Sequence, residues 1–146
     1  MTDQDVIAAA LRALCGPRLH YEAAVESVPH EPGLYALNGD AHAWSDLGLH
    51  SAADSGPLYV GTAEKSLDGR DVRTHFAAGK TGSSTVRRSL ASLLSDQLSL
   101  VPVPRDLDKP DGSADFALDE AGEVGLSDWM SKRLALSTWT RPRGVC

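Results

Sequence analysis

With 146 residues, 42% of them apolar and 23% charged, the chain has the make-up of one ordinary globular core and little room for a second. No uninterrupted apolar run approaches the ~20 residues needed to span a bilayer. The opening Met1-Thr2-Asp3-Gln4-Asp5 is acidic where a secretion signal is basic, and Cys15 and Cys146 are too few for a disulfide framework, so a cytoplasmic protein without a membrane segment is expected. The net charge of −6 argues against nucleic acid only if it is averaged: residues 1–57 carry −6 and 91–128 carry −7, whereas 62–90 carry +3 and 129–146 carry +4. Phosphate contacts need local positive charge more than a positive total.

Asp3 or Asp5 can cap a first helix through Val6–Leu14, closed by Gly16-Pro17. A short helical piece follows around Tyr21–Glu26. Pro29 and Pro32 then impose an extended approach to a strand, Gly33–Leu37. Residues 38–56 are polar, rich in Gly, Asp and His, and read as a long connection or insertion. A second strand spans Pro57–Thr62, with its proline at the start, where a missing donor is tolerated. Residues 68–78 read as a basic helix stopped by Gly79. Gly82-Ser83-Ser84-Thr85 opens another, whose Val86, Leu90, Leu93, Leu94 and Leu98 recur at helical spacing. Val101–Gly112 reads as a Pro- and Asp-rich loop, Phe116–Leu118 as a weak strand, and the stretch from about Leu126 to Arg133 as a helix capped by Ser127. Leu134–Trp139 is a final strand before a short basic tail. The expected architecture is α+β: a small, mostly antiparallel three-stranded sheet flanked by helices.

Several constellations are weighed on their chemistry. Gly79-Lys80-Thr81 lacks the glycine of a phosphate loop five positions earlier, where Thr74 stands, and follows a helical segment instead of a strand, which excludes an NTPase. The helix start at Ser83 and Ser84 fits phosphate binding through free backbone donors, and equally fits plain capping. The five histidines form no i, i+4 pair and have no CxxC beside them, which argues against zinc. Arg70, Arg73 and His75 cannot all share one helix face; Arg70 pairs best with Arg73 or Thr74. A strand tyrosine is by default packing. Two of them in glycine-marked strands, Tyr35 and Tyr59, with Arg70 and His75 close behind, nevertheless supply groups suited to activating a water and holding a phosphate.

Gly33-Leu34-Tyr35 followed by Leu58-Tyr59-Val60-Gly61 resembles the paired signature of the GIY-YIG nuclease superfamily, with Leu and Val standing for Ile. Ser66-Leu67, Arg70, His75-Phe76, the run Gly79–Arg88 and Leu126-Ser127-Asp128-Trp129-Met130 resemble a bacterial branch of it, so that the likeness spans roughly residues 29–139. The resemblance implies one domain over residues 1–146, with an N-terminal helical extension (1–28) and the insertion at 38–56. It implies a DNA endonuclease that hydrolyses phosphodiesters with Mg²⁺ or Mn²⁺. In that reading Tyr35 and Tyr59 are the signature tyrosines, one of which helps deprotonate the attacking water. Arg70 stabilises charge on the scissile phosphate and His75 assists proton transfer. Lys80, Ser83, Ser84, Arg87 and Arg88 are the expected nucleic-acid contacts.

One part of the family pattern has no counterpart. Members carry a metal-binding glutamate, and usually an asparagine, on a helix after the third strand, whereas only Thr140–Cys146 follow Trp139 here, and Asn38 is the single asparagine. The metal ligand therefore stays unassigned. The sequence reading favours a fragment of a longer enzyme. The alternative is a catalytically inactive nucleic-acid-binding or interaction module, and substitution of the missing acid by Asp128 or Glu123 is the third option. A missing helix would uncover part of a sheet face, which predicts reduced stability or self-association.

Overall fold

The computed structural model describes residues 2–49, 56–64, 66–67, 76, 79, 81–104 and 116–142. Helix α1 spans Asp3–Leu14, α2 Tyr21–Ser27 and α3 Ala41–Asp46; α4 is Thr85–Leu94 and α5 Glu120–Arg133. The strands are β1 Gly33–Gly39, β2 Tyr59–Ala63, β3 Pro102–Pro104, β4 Phe116–Leu118 and β5 Leu134–Thr140. Three of them form an antiparallel sheet in the order β2-β1-β5, and β3 pairs antiparallel with β4 in a separate ribbon. The fold is α+β, as the sequence predicts. Among the described residues no helix is long and apolar enough to cross a membrane.

Central position explains the burial of β1. Its neighbours fix Leu37 opposite both Tyr59 and Leu136, and Tyr35 opposite both Gly61 and Thr138. Alternation along the strands puts Tyr35, Leu37, Tyr59 and Leu136 on one face, joined to a core that includes Leu67, Phe76, Leu90, Leu126 and Met130. On the opposite face the buried Asn38 donates to Ser137 Oγ at 3.1 Å, and Ser137 Oγ donates to the carbonyl of Leu14 at 2.6 Å, which fastens the end of α1 to the sheet. Gly33 is needed where it stands: a Cβ there would run into the main-chain oxygen of Trp139 on β5.

Local signals differ from the expectations at four places. The cap of α1 is Thr2, whose hydroxyl accepts from Asp5 N while Asp5 Oδ2 accepts from Thr2 N, a reciprocal box that leaves Asp5 inside the first turn. Within the predicted connection at 38–56, Asp40 accepts from Ala43 N at 2.7 Å and starts α3. The predicted loop at 101–112 begins with β3, where Pro102 and Pro104 are accommodated because, among the described residues, the strand pairs with β4 alone. Helix α5 begins at Glu120, capped by Asp119, so Ser127 lies inside the helix and is not its cap. Gly122 and Gly125 interrupt the helical pattern there and hide the first two turns from a periodicity reading.

Asp46, at the end of α3, ties that helix to α5 by accepting from Trp129 Nε1 at 2.9 Å. A hydrogen bond from Gln97, and then the one from Trp129, hold its carboxyl below its ordinary value. A depressed folded pKa makes the stabilisation complete above the unfolded value of ~3.9 and removes it as the pH falls through the folded value. Asp46→Asn is therefore expected to lower the melting midpoint at neutral pH, with the gap to the parent closing as melts are taken at progressively more acid pH, below the ordinary carboxylate range. A gap that stays constant over that range would refute the linkage.

Candidate active site

The register of β1 against β2 builds the tyrosine pair. Tyr35 faces Gly61 directly, and Tyr59 lies two residues along β2, opposite Leu37. The two phenols are thus diagonal neighbours on one face, at the reach of aromatic side chains. Their ring centroids are 6.0 Å apart and the planes are inclined by 38°. The glycine of the second motif is what admits this arrangement, because a Cβ at position 61 would collide with the Tyr35 ring and its hydroxyl. Tyr35 is 1% exposed and belongs to the core, whereas Tyr59 is only partly buried and packs against it. Tyr59 is accordingly the more solvent-accessible phenol of the pair.

Arg70, His75 and Lys80 lie outside the described residues, as does Arg73. Two neighbours of that stretch are described and buried: Leu67 is 0% exposed and Phe76 is 3% exposed. Ser83 ends a single 3₁₀ turn, Thr81–Ser83. Ser84 is buried, with its hydroxyl accepting from Arg87 N at 3.2 Å, so it is the cap of α4. Arg88 folds back on the turn, donating to the carbonyls of Gly82 at 2.9 Å and Thr81 at 3.3 Å.

Arg87 corrects the expectation most sharply. It is 0% exposed and forms an ion pair with Glu123 at 3.0 Å, so it is no surface contact for a phosphate. Its Nε donates to Thr81 Oγ1 at 3.1 Å and its Nη1 to Ser127 Oγ at 2.8 Å. Glu123 is equally engaged. One carboxylate oxygen accepts from Gly79 N, Thr81 Oγ1 and Arg87 Nη2, and the other from Leu118 N. Burial pushes the guanidinium's pKa down, and the adjacent Glu123 carboxylate opposes that shift. A sequence signal for this burial exists. Arg87 stands at i to Leu90, Ala91 and Leu94, the spacing of one inward helix face.

The acids considered for the missing metal ligand do not fit one. A cation at Glu123 would have to displace a guanidinium and three other donors from its oxygens. Asp128 is exposed on α5 and paired with Lys132 at 3.0 Å. Asn38 is buried against Ser137 Oγ and the carbonyl of Ala135. Among the described residues no three His, Cys, Asp or Glu side chains are grouped to hold a metal ion.

Removing one member of a buried pair strands the other charge, at a cost of about 3–5 kcal/mol. Arg87→Met and Glu123→Leu are each expected to cost that much in urea unfolding, and the double variant clearly less than the two losses together. Strict additivity would show that the two side chains are not coupled.

The model of the GIY-YIG catalytic domain matches residues 47–142. No curated protein and no solved structure matches the chain. The matched region contains β2, α4, α5 and β5, while β1 with Tyr35 precedes it and completes the sheet from outside. With more than half of its length accounted for in this way, and with its paired tyrosines on adjacent strands, the chain belongs to the GIY-YIG catalytic domain family, whose function is of nuclease type.

Proposed function

We propose that the chain is a DNA endonuclease domain of GIY-YIG type that hydrolyses phosphodiester bonds. The observation that carries this reading is the diagonal pair of phenols, one sealed and one reachable, on neighbouring strands of a family member. Tyr59 sits at the boundary between core and solvent and is the group that orients the attacking water and takes part in its deprotonation. Tyr35, packed over Gly61, fixes the position of Tyr59 and does not itself meet the substrate. Arg70 offers the positive charge that stabilises the phosphorane-like transition state, and His75 offers a proton to the leaving oxygen. Water adds to phosphorus as the P–O bond to the leaving oxygen breaks, so one proton is given up by the water and one is returned to the alkoxide. Local positive charge at Lys65–Arg88 supports a polyanionic substrate, with Lys80, the Ser83 turn and Arg88 as the remaining contact candidates. Membership of the family supports dependence on a divalent cation such as Mg²⁺ or Mn²⁺, although the described acids do not fit one.

A second reading, a non-cutting nucleic-acid-binding module, is favoured by the engagement of Glu123 with four donors and of Asp128 with Lys132. Nicking of supercoiled plasmid in Mg²⁺ or Mn²⁺ separates the two. Under the endonuclease reading the parent nicks, and Tyr59→Phe and Arg70→Ala are each slower by about 10²–10³-fold. Salt-sensitive DNA binding with no nicking by any of the three would establish the module instead.

A further inference from the structure

Helix α1 buries one side and leaves an apolar strip on another. Ala10 and Leu14 are buried, and the carbonyl of Leu14 accepts from Ser137 Oγ on the side of the sheet opposite Tyr35 and Tyr59. Away from the core, Ile7 and Leu11 are 53% and 59% exposed. They stand one turn apart on a line with Gln4, Ala8 and the exposed Cys15, at the i, i+3, i+4 spacing of one helix face. An isolated exposed leucine is ordinary, whereas two large aliphatic side chains at i, i+4 form a continuous strip.

The charges at the two ends of the helix indicate what fits this strip. Asp3 and Asp5 occupy the first turn and Arg12 the last, and the exposed Arg18 follows shortly after the helix. Among the described residues, neither Asp3 nor Arg12 has an ion-pair partner within the chain. An identical helix laid antiparallel sets each acidic end beside the other's basic end and opposes the two helix dipoles. The apolar positions obey the same symmetry. With a twofold axis level with residue 9, Ile7 meets the partner's Leu11, and Asp5 comes level with the turn that carries the partner's Arg12. A parallel pair would instead set acid against acid and Arg12 against the partner's Arg12.

We propose that the exposed face of α1 is a docking surface for a second copy of this chain, which pairs with it as an antiparallel, twofold-symmetric helix pair centred on Ile7 and Leu11. The inference does not rest on the endonuclease reading. The surface belongs to a helix on the other side of the sheet from Tyr59, so pairing does not use the face that carries the phenols. A contact between two helices of this length buries less than the ~1,200 Å² of a stable interface. The dimer is therefore reversible, mostly dissociated at about 1 µM and mostly formed at about 1 mM.

Sedimentation equilibrium of the full chain over that concentration range is the first test, and the average mass should rise towards two copies. Leu11→Glu sets like charges into the strip and should stay monomeric throughout. Ile7→Lys does the same from the neighbouring turn and stands in should the first variant fail to fold; both positions are exposed in the monomer. Arg12→Glu makes both ends acidic and should weaken the dimer by about tenfold or more. Cross-linking then reads the direction of the pair. In a Cys15→Ser, Cys146→Ser background, Ala8→Cys should form a disulfide under mild oxidation, because the two copies of position 8 lie only ~3 Å apart along the axis. With Cys146→Ser alone, Cys15 should not cross-link, because its two copies lie ~18 Å apart along the axis. A mass fixed at one copy up to about 1 mM overturns the proposal. So does a dimer that survives both Leu11→Glu and Ile7→Lys, and so does a Cys15 that cross-links faster than Ala8→Cys, which requires a different pairing.

Discussion

The ion pair between Arg87 and Glu123 is the constraint around which the helical side of this molecule is arranged. A guanidinium with no solvent exposure is costly to bury unless its donors and its charge are answered. Here they are answered from several directions at once. Thr81 comes from the 3₁₀ turn, Ser127 and Glu123 from α5, and Glu123 also accepts from Leu118 on β4 and from Gly79. Two helices, a turn and a ribbon strand thus share one electrostatic knot. It also explains why two residues that look like surface features in the sequence, a basic helix residue and an acid near a helix start, leave the list of substrate contacts and metal ligands.

The sheet side is governed by a different constraint, close approach. Gly33 lets β1 pass under the main chain of Trp139, and Gly61 leaves the room that the Tyr35 ring fills. Both glycines of the paired motif are thereby accounted for by sterics, with no appeal to turns. The consequence for chemistry is an asymmetric pair of phenols: the inner one is locked by packing and the outer one is held by it. An arrangement of this kind keeps the outer phenol within a narrow range of orientations.

The N-terminal segment is joined to the sheet. Its helix α1 is fastened to the back of the sheet through Ser137 and Asn38, and the path from Leu19 to Pro32 is tied at its start to Leu136 of β5 and at its end to Arg141, just beyond that strand. A segment that precedes the match to the family therefore contributes to the same core as the signature strands.

Alternation and punctuation in the chain were enough to locate β1, β2, β4 and β5, because a strand's apolar run between Pro, Gly and Asp is a local property. The tyrosine motifs and the α+β class are legible for the same reason. Helix α3 was hidden because six residues capped by Asp40 hold too few apolar positions to declare a period, and the start of α5 was hidden by Gly122 and Gly125. What only the folded molecule decided is the direction of polar side chains. Arg87 turns inward because an acid distant in sequence reaches it, and Tyr35 and Tyr59 differ in exposure because one strand is central and the other lies at the edge. Local spacing puts Arg87 on the inward face of its helix, but the partner that answers its charge comes from far along the chain, and no local pattern names that partner.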